Sequence, residues 1–175
     1  MGKGCVHIYC GDGKGKTSAA FGLAVRFAGH GGQVVIAQFL KDGQSGECNM
    51  LRQLENVHLL SANPCGKFSF QMSDGERTET ARALETCFQE MCRQAEAYQA
   101  GLVVLDEIMA AISCGFLSCD AVCKFLQTRP DHMEVVLTGR NPPQELLDLA
   151  DYVSEICKIK HPFDRGIPAR EGIEW

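Results

Sequence analysis

A short apolar run from Cys5 to Cys10 passes directly into Gly11-Asp12-Gly13-Lys14-Gly15-Lys16-Thr17-Ser18, and the chain then takes on a helical apolar rhythm at Ala20, Phe21, Leu23, Ala24, Phe27 and Ala28. Strand, glycine loop, Gly-Lys-Thr and helix in that order constrain the fold more than any other feature, because this is the context of a phosphate-binding loop. Glycines let backbone N–H groups turn inward around phosphate oxygens, and the helix N-terminus adds the positive end of its dipole. Lys16 would supply a mobile cation and Thr17 a hydroxyl ligand for Mg²⁺. The strict G-x4-G-K-[ST] pattern asks for glycine at position 10, where this chain has Cys10. A glycine-rich turn with solvated lysines is the plain alternative. A dinucleotide fingerprint fits less well, since Lys16 stands where G-x-G-x-x-G needs its last glycine.

The rest of the chain repeats the strand-then-helix alternation. Apolar runs at Val34–Leu40, Val57–Leu60, Leu102–Leu105, Val135–Leu137 and Tyr152–Ile159 join the first, and most are continuous, as strands buried on both faces should be. The expected fold class is α/β: a P-loop nucleoside triphosphate-binding fold with a mostly parallel sheet of five or six strands and helices on both faces. The clearest helix is marked by Leu84, Cys87, Phe88, Met91, Cys92, Ala95 and Tyr98, with a capping box at Ser73 and Glu76 and a stop at Gly101. No repeat or linker interrupts the 175 residues, so one domain over 1–175 is expected.

The strand Leu102-Val103-Val104-Leu105 ends in Asp106-Glu107, as a strand that orders Mg²⁺ beside a P-loop would. Acidic residues at an exposed strand end are the ordinary alternative. Combined with Gly15-Lys16-Thr17, the pair points to Mg-nucleotide binding, with Thr17, Asp106 and Glu107 as metal-site residues. Two loops after strands, Lys41–Gly46 and Asn63–Ser73, are candidate substrate walls, because ligands of such sheets sit beyond the strands' carboxyl ends.

Charge and cysteines restrict the partners. A net charge of −5 lacks the basic excess that a nucleic-acid backbone demands. No apolar stretch reaches the roughly 18 residues of a membrane span, and the N-terminus does not read as a signal peptide, so a soluble, cytoplasmic protein is expected. Ten cysteines without any C-x-x-C pair read as free thiols acting as small hydrophobes. The C-x4-C-x3-C spacing of Cys114, Cys119 and Cys123 leaves metal ligation as the other reading.

Two further segments make the resemblance specific. Val136-Leu137-Thr138-Gly139-Arg140 ends the fifth strand, and the tail reads Lys158-Ile159-Lys160-His161-Pro162-Phe163-Asp164-Arg165-Gly166 and on to Trp175. The ordered set GDGKGKTSAA, QFLK, VVLDE, LTGR and KHPFDRGIPAREGIEW resembles the ATP:corrinoid adenosyltransferases of the CobA/CobO/BtuR type over nearly the whole chain. The resemblance implies a RecA-like fold that binds MgATP. It implies a reaction in which the Co(I) of a reduced corrinoid attacks the ribose 5′ carbon and inorganic triphosphate leaves.

Carried over residue by residue, the resemblance places Gly11, Asp12, Gly13, Lys14, Gly15, Lys16, Thr17 and Ser18 around the triphosphate, with Lys16, Thr17 and Glu107 at the chemistry. Lys41 and Arg140 either hold the nucleotide or are surface charges at strand ends. Phe68 and Phe70 stand where longer members carry F-x-W against the corrin, with Phe70 in place of Trp. A small hydrophobic anchor for the loop is the competing reading. His161 of the tail is structural or catalytic.

The substrate is cobalamin or a corrinoid precursor, a reduced flavoprotein is one candidate electron donor, and a homodimer is implied. The histidine motif D-x-H-x-x-G, which replaces the lower cobalt ligand in many corrinoid enzymes, is missing from this sequence, which suits an enzyme that releases its corrinoid. Some longer members carry a segment before the first strand that covers a neighbour's site. This chain begins almost at the strand, so a more open corrinoid site, or one closed by substrate-ordered loops, is expected. A small P-loop ATPase or nucleotide kinase using Glu107, and a non-catalytic nucleotide- or corrinoid-binding regulator, are the alternatives.

Overall fold

The computed structural model describes residues 2–174, so Met1 and the last residue of the tail motif, Trp175, lie outside the described residues. Six strands form one sheet in the order β3-β2-β4-β5-β1-β6, and every pairing is parallel. They are β1 (Val6–Cys10), β2 (Val34–Phe39), β3 (Val57–Ala62), β4 (Leu102–Asp106), β5 (Glu134–Thr138) and β6 (Tyr152–Glu155). Helices α1 (Lys16–Gly29), α2 (Gly46–Leu51), α3 (Asp74–Ala97), α4 (Ile108–Ser113), α5 (Cys119–Thr128) and α6 (Gln144–Leu149) fill the crossovers. The arrangement is the α/β fold expected of a P-loop protein.

Both faces of the sheet are packed, which explains the continuous apolar runs. Along β2, Val35, Ala37 and Phe39 join the core under α3, while Val34 and Ile36 join the one under α1. Period two sends alternate side chains to opposite faces, so a strand covered on both sides is apolar at nearly every position, with Gln38 the exception on β2. Leu105 and Leu137 are fully buried in the larger core. Truncating either to Ala removes about 2–5 kcal/mol of stability.

Local signals behave unevenly. The capping box is formed: the Ser73 hydroxyl accepts from the Glu76 amide, and the Glu76 carboxylate accepts from the Ser73 amide at 2.8 Å. The stop, however, is Gln99, which takes the left-handed conformation (φ 51°) after α3 has ended at Ala97. Gly101 is small for another reason, since a Cβ there would lie 2.5 Å from the Phe27 ring. The sixth strand ends at Glu155 rather than Ile159, because the chain leaves the sheet there and crosses behind the glycine loop. All ten cysteines are free thiols, with Cys10, Cys48 and Cys87 buried.

Candidate active site

The glycine loop joins β1 to α1, and its three glycines answer to different demands. Gly11 (φ 103°) and Gly13 lie against the segment after β6, where a Cβ would fall 2.5 and 2.6 Å from the Ile156 carbonyl oxygen. Gly15 (φ 118°) faces open space and is required by its left-handed backbone alone. Cys10 is the last extended residue of β1 and packs with Val6 and Ile8, so the first residue that needs glycine is Gly11. That is why the departure from the strict motif leaves the loop intact.

The loop is held from behind. The Gly13 amide donates to the Ile156 carbonyl at 2.7 Å, and the Lys158 amide donates to the Asp12 carboxylate at 2.9 Å. Lys14 turns to the tail, donating to the Ile173 carbonyl at 2.7 Å and to Glu174 at 3.1 Å. Lys16 is 8 % exposed and donates to the Gly13 carbonyl at 2.9 Å. Burial pushes its pKa below the ordinary lysine value, with Glu107 opposing that shift. The opening turn of α1 carries amides without intrahelical acceptors, an arrangement that together with Lys16 suits an anion.

A second cluster sits where β1, β2, β4 and β5 end. Asp106 is fully buried, and its carboxylate is surrounded. One oxygen accepts from Thr17 at 2.9 Å and from Thr138 at 2.7 Å, the other from Gln38 at 2.9 Å and from Lys41 at 2.8 Å. Lys41 also donates to the Thr17 hydroxyl at 2.9 Å, so its ammonium bridges both residues. Gln38 is steadied by the Cys48 thiol, which in turn accepts from Ser45 at the start of α2.

Strained corners aim these groups. Leu40 (φ 57°) precedes Lys41, and Glu107 (φ 61°) follows Asp106 with its amide donating to Thr138. Glu107 therefore leaves the buried network and lines the cleft beside the loop. The Thr17 hydroxyl and Asp106 carboxylate are hard oxygen donors and suit Mg²⁺, with Lys41 now standing as the cation on both.

The cleft in front of these groups has a volume of about 1320 Å³. Its lining includes Asp12 to Ser18, Lys41 to Gly46, Glu107 and Arg140. It continues over Val25, Met50 and Leu54, which are exposed, and is closed on one side by the tail at His161 and Gly172 to Glu174. Arg140 is exposed and follows Gly139, whose missing Cβ leaves room for Met109 at 2.7 Å. Lys14, Lys16, Lys41 and Arg140 thus gather in one crevice of an acidic protein.

Of the residues expected at the site, Gly11 and Asp106 lie behind the lining, and Phe68 and Phe70 lie outside it. Those two rings stack at 5.6 Å on the exposed loop after β3, from which only Asn63 reaches the cleft. Gln38 and Thr138 were not singled out from the sequence, although QFLK and LTGR contain them, and the tail was read as a motif in which only His161 was weighed for a role. A polar residue within an apolar strand was the available signal.

Similarity to known proteins agrees with this geometry. Residues 2–175 match the model of the family described as ATP:corrinoid adenosyltransferase BtuR/CobO/CobP. The chain is 35% identical over 174 residues to the corrinoid adenosyltransferase CobA of Salmonella typhimurium, covering 99% of this chain and 86% of that protein. It is 34% identical to the corrinoid adenosyltransferase of Pseudomonas aeruginosa, covering 99% of this chain and 84% of the relative. The Escherichia coli K12 corrinoid adenosyltransferase is 33% identical, with 99% and 86% covered.

Proposed function

The chain belongs to the ATP:corrinoid adenosyltransferase family BtuR/CobO/CobP, and from that premise we propose how its residues divide the work. The protein transfers the 5′-deoxyadenosyl group of ATP to the Co(I) of a reduced corrinoid. A cobalt–carbon bond forms, the C5′–oxygen bond breaks, and inorganic triphosphate leaves with the electron pair of that bond.

The nucleophile belongs to the substrate, so the protein's task is positioning and stabilisation of charge on the leaving triphosphate. The amides from Gly13 to Ser18 and the Lys16 ammonium hold the phosphates. Arg140 and Lys41 add cations at the carboxyl ends of β5 and β2. Thr17, Asp106 and Glu107 would hold Mg²⁺, which neutralises phosphate charge when bound. Burial of Lys16 suits this role, because an ammonium stripped of water gains more from a phosphate partner than a solvated one does.

Phe68 and Phe70 meet the corrin face. The corrinoid is cobalamin or a precursor, a reduced flavoprotein supplies the electron, and the protein works as a cytoplasmic homodimer. For the described residues, no helix is long and apolar enough to cross a membrane.

The observation that carries this reading is the meeting of Thr17, Lys41 and buried Asp106 beside the glycine loop at the N-terminus of α1. An anaerobic spectroscopic assay with MgATP and chemically reduced cobalamin tests it. The adenosyl-cobalt chromophore and triphosphate appear together, and only when corrinoid is present. Release of ADP and phosphate without corrinoid overturns the reading.

A further inference from the structure

The aromatic pair stands on a loop with little packing of its own. Phe68 is 70 % exposed and Phe70 82 % exposed, yet their rings lie parallel within 7°. Neither ring is anchored in the core, so the rings are placed by what holds the loop around them: Lys67 pairs with Glu76 of α3 at 2.5 Å and Met72 packs against the core on either side of the pair. Ser69, the residue between the two rings, has its carbonyl taken by Arg77, whose guanidinium donates to it at 3.2 Å.

Arg77 sits in the first turns of α3 and reaches two other segments as well. It donates to the Cys114 carbonyl at 2.8 Å and lies 4.9 Å from the centre of the Phe116 ring. Cys114 is the C-cap of α4, the helix whose N-cap is Glu107, and Phe116 is buried in the core. A planar fork of fixed donors can satisfy two carbonyls from separate segments while stacking on an aromatic face, which an ammonium cannot do. One side chain therefore connects the aromatic loop to the element that carries the cleft-facing carboxylate.

We propose that Arg77 is the positioning residue of the corrinoid site, fixing the Phe68/Phe70 platform relative to the nucleotide cleft; this rests on the reading of that pair as the corrin contact. The clamp spares the substrate the ordering of a free loop, so its loss falls on corrinoid binding and leaves the nucleotide side alone.

The test compares Arg77→Met, Arg77→Lys, the double variant Phe68→Ala/Phe70→Ala and the triple variant Phe68→Ala/Phe70→Ala/Arg77→Met. Steady-state adenosylation is measured anaerobically with chemically reduced cobalamin and MgATP, and thermal melts check folding. Arg77→Met raises the KM for cobalamin about tenfold with the KM for MgATP within about twofold of wild type. The triple variant is no worse than the double, because Arg77 acts through the rings. Arg77→Lys shows the same selectivity at smaller size and replaces Arg77→Met if that variant does not fold.

An unchanged cobalamin KM in the double variant overturns the loop reading and this inference with it. A raised KM in the double variant but not in either Arg77 variant overturns the inference alone. So does a triple variant about tenfold worse than the double, or a matching rise in the KM for MgATP.

Discussion

The nucleotide cleft and the aromatic loop that lies outside its lining are built to different standards. At the nucleotide end, Asp12, Gly13, Lys14, Lys16, Thr17 and Asp106 each hold at least one hydrogen bond before any ligand arrives, and Asp106 has four donors on two oxygens. At the aromatic end, two exposed rings rest on a loop whose middle carbonyl is held by one guanidinium. A triphosphate is small, highly charged and always the same, so a rigid cradle of oriented dipoles stabilises it without reorganisation. The face of a corrin ring is broad, and in the reading proposed above an open platform lets it enter and leave with its new adenosyl group.

Lys16→Ala would break this contrast most severely. It removes the buried cation of the cradle, and kcat/KM for adenosylation falls at least about 100-fold, while cobalamin binding is retained. Equal loss of cobalamin binding, measured by anaerobic titration, would mean that the two ends are not separable. Gly13→Ala probes how the loop is held. A Cβ 2.6 Å from the Ile156 oxygen has backbone on both sides, so stability falls by about 2–4 kcal/mol in denaturant titration. Gly15→Ala meets open space and loses only about 1–2 kcal/mol through its left-handed φ.

Lys41→Met tests the cation that stands at the proposed Mg²⁺ site. With the ammonium gone, Thr17 and Asp106 are free for a divalent ion, and nucleotide-free binding of Mn²⁺, followed by electron paramagnetic resonance, tightens about tenfold. Unchanged Mn²⁺ binding would show that Lys41 does not occupy that position in solution.

The smallest effect belongs to the tail. Arg170, the Arg170 amide and Lys14 hold the Glu174 carboxyl down to about 2 from an ordinary 4.5. A depressed carboxyl pKa favours the folded Arg170–Glu174 turn of the tail, with Lys14 a smaller partner; that contribution is full above about pH 4.5 and is lost as pH falls through about 2. Carbon chemical shifts of Glu174 should therefore titrate near 2. Glu174→Gln raises amide exchange in residues 158–174 and changes the KM for MgATP by less than about threefold, as expected of a solvent-screened pair.

Much of this molecule was legible in order along the chain. The strand, the loop and α1 follow from contiguous residues, as does the Ser73–Glu76 box, because those interactions span at most a few positions. Gln99 as the stop of α3 was hidden because a left-handed non-glycine residue leaves no compositional mark, while Gly101 looked like the stop and serves Phe27 instead. The extent of β6 was misjudged for a related reason: Ile156 and Ile159 look like a continued apolar strand, but the Ile156 carbonyl and the Lys158 amide bond to the glycine loop, a partner more than 140 positions away.

The amino-acid sequence by itself determined the α/β class, the glycine loop between strand and helix, the adjoining carboxylates and, through its ordered motifs, the family. Each of these depends on residue type at short spacing, where local backbone preference and hydrophobic period are enough. Only the tertiary structure decided that Lys41 bridges Thr17 and Asp106, that Gly11 and Gly13 are small for the crossing chain, and that Arg77 clamps the aromatic loop. Those facts depend on which separate segments the fold brings within 3.2 Å of each other, and contacts of that kind leave no period in the sequence to read.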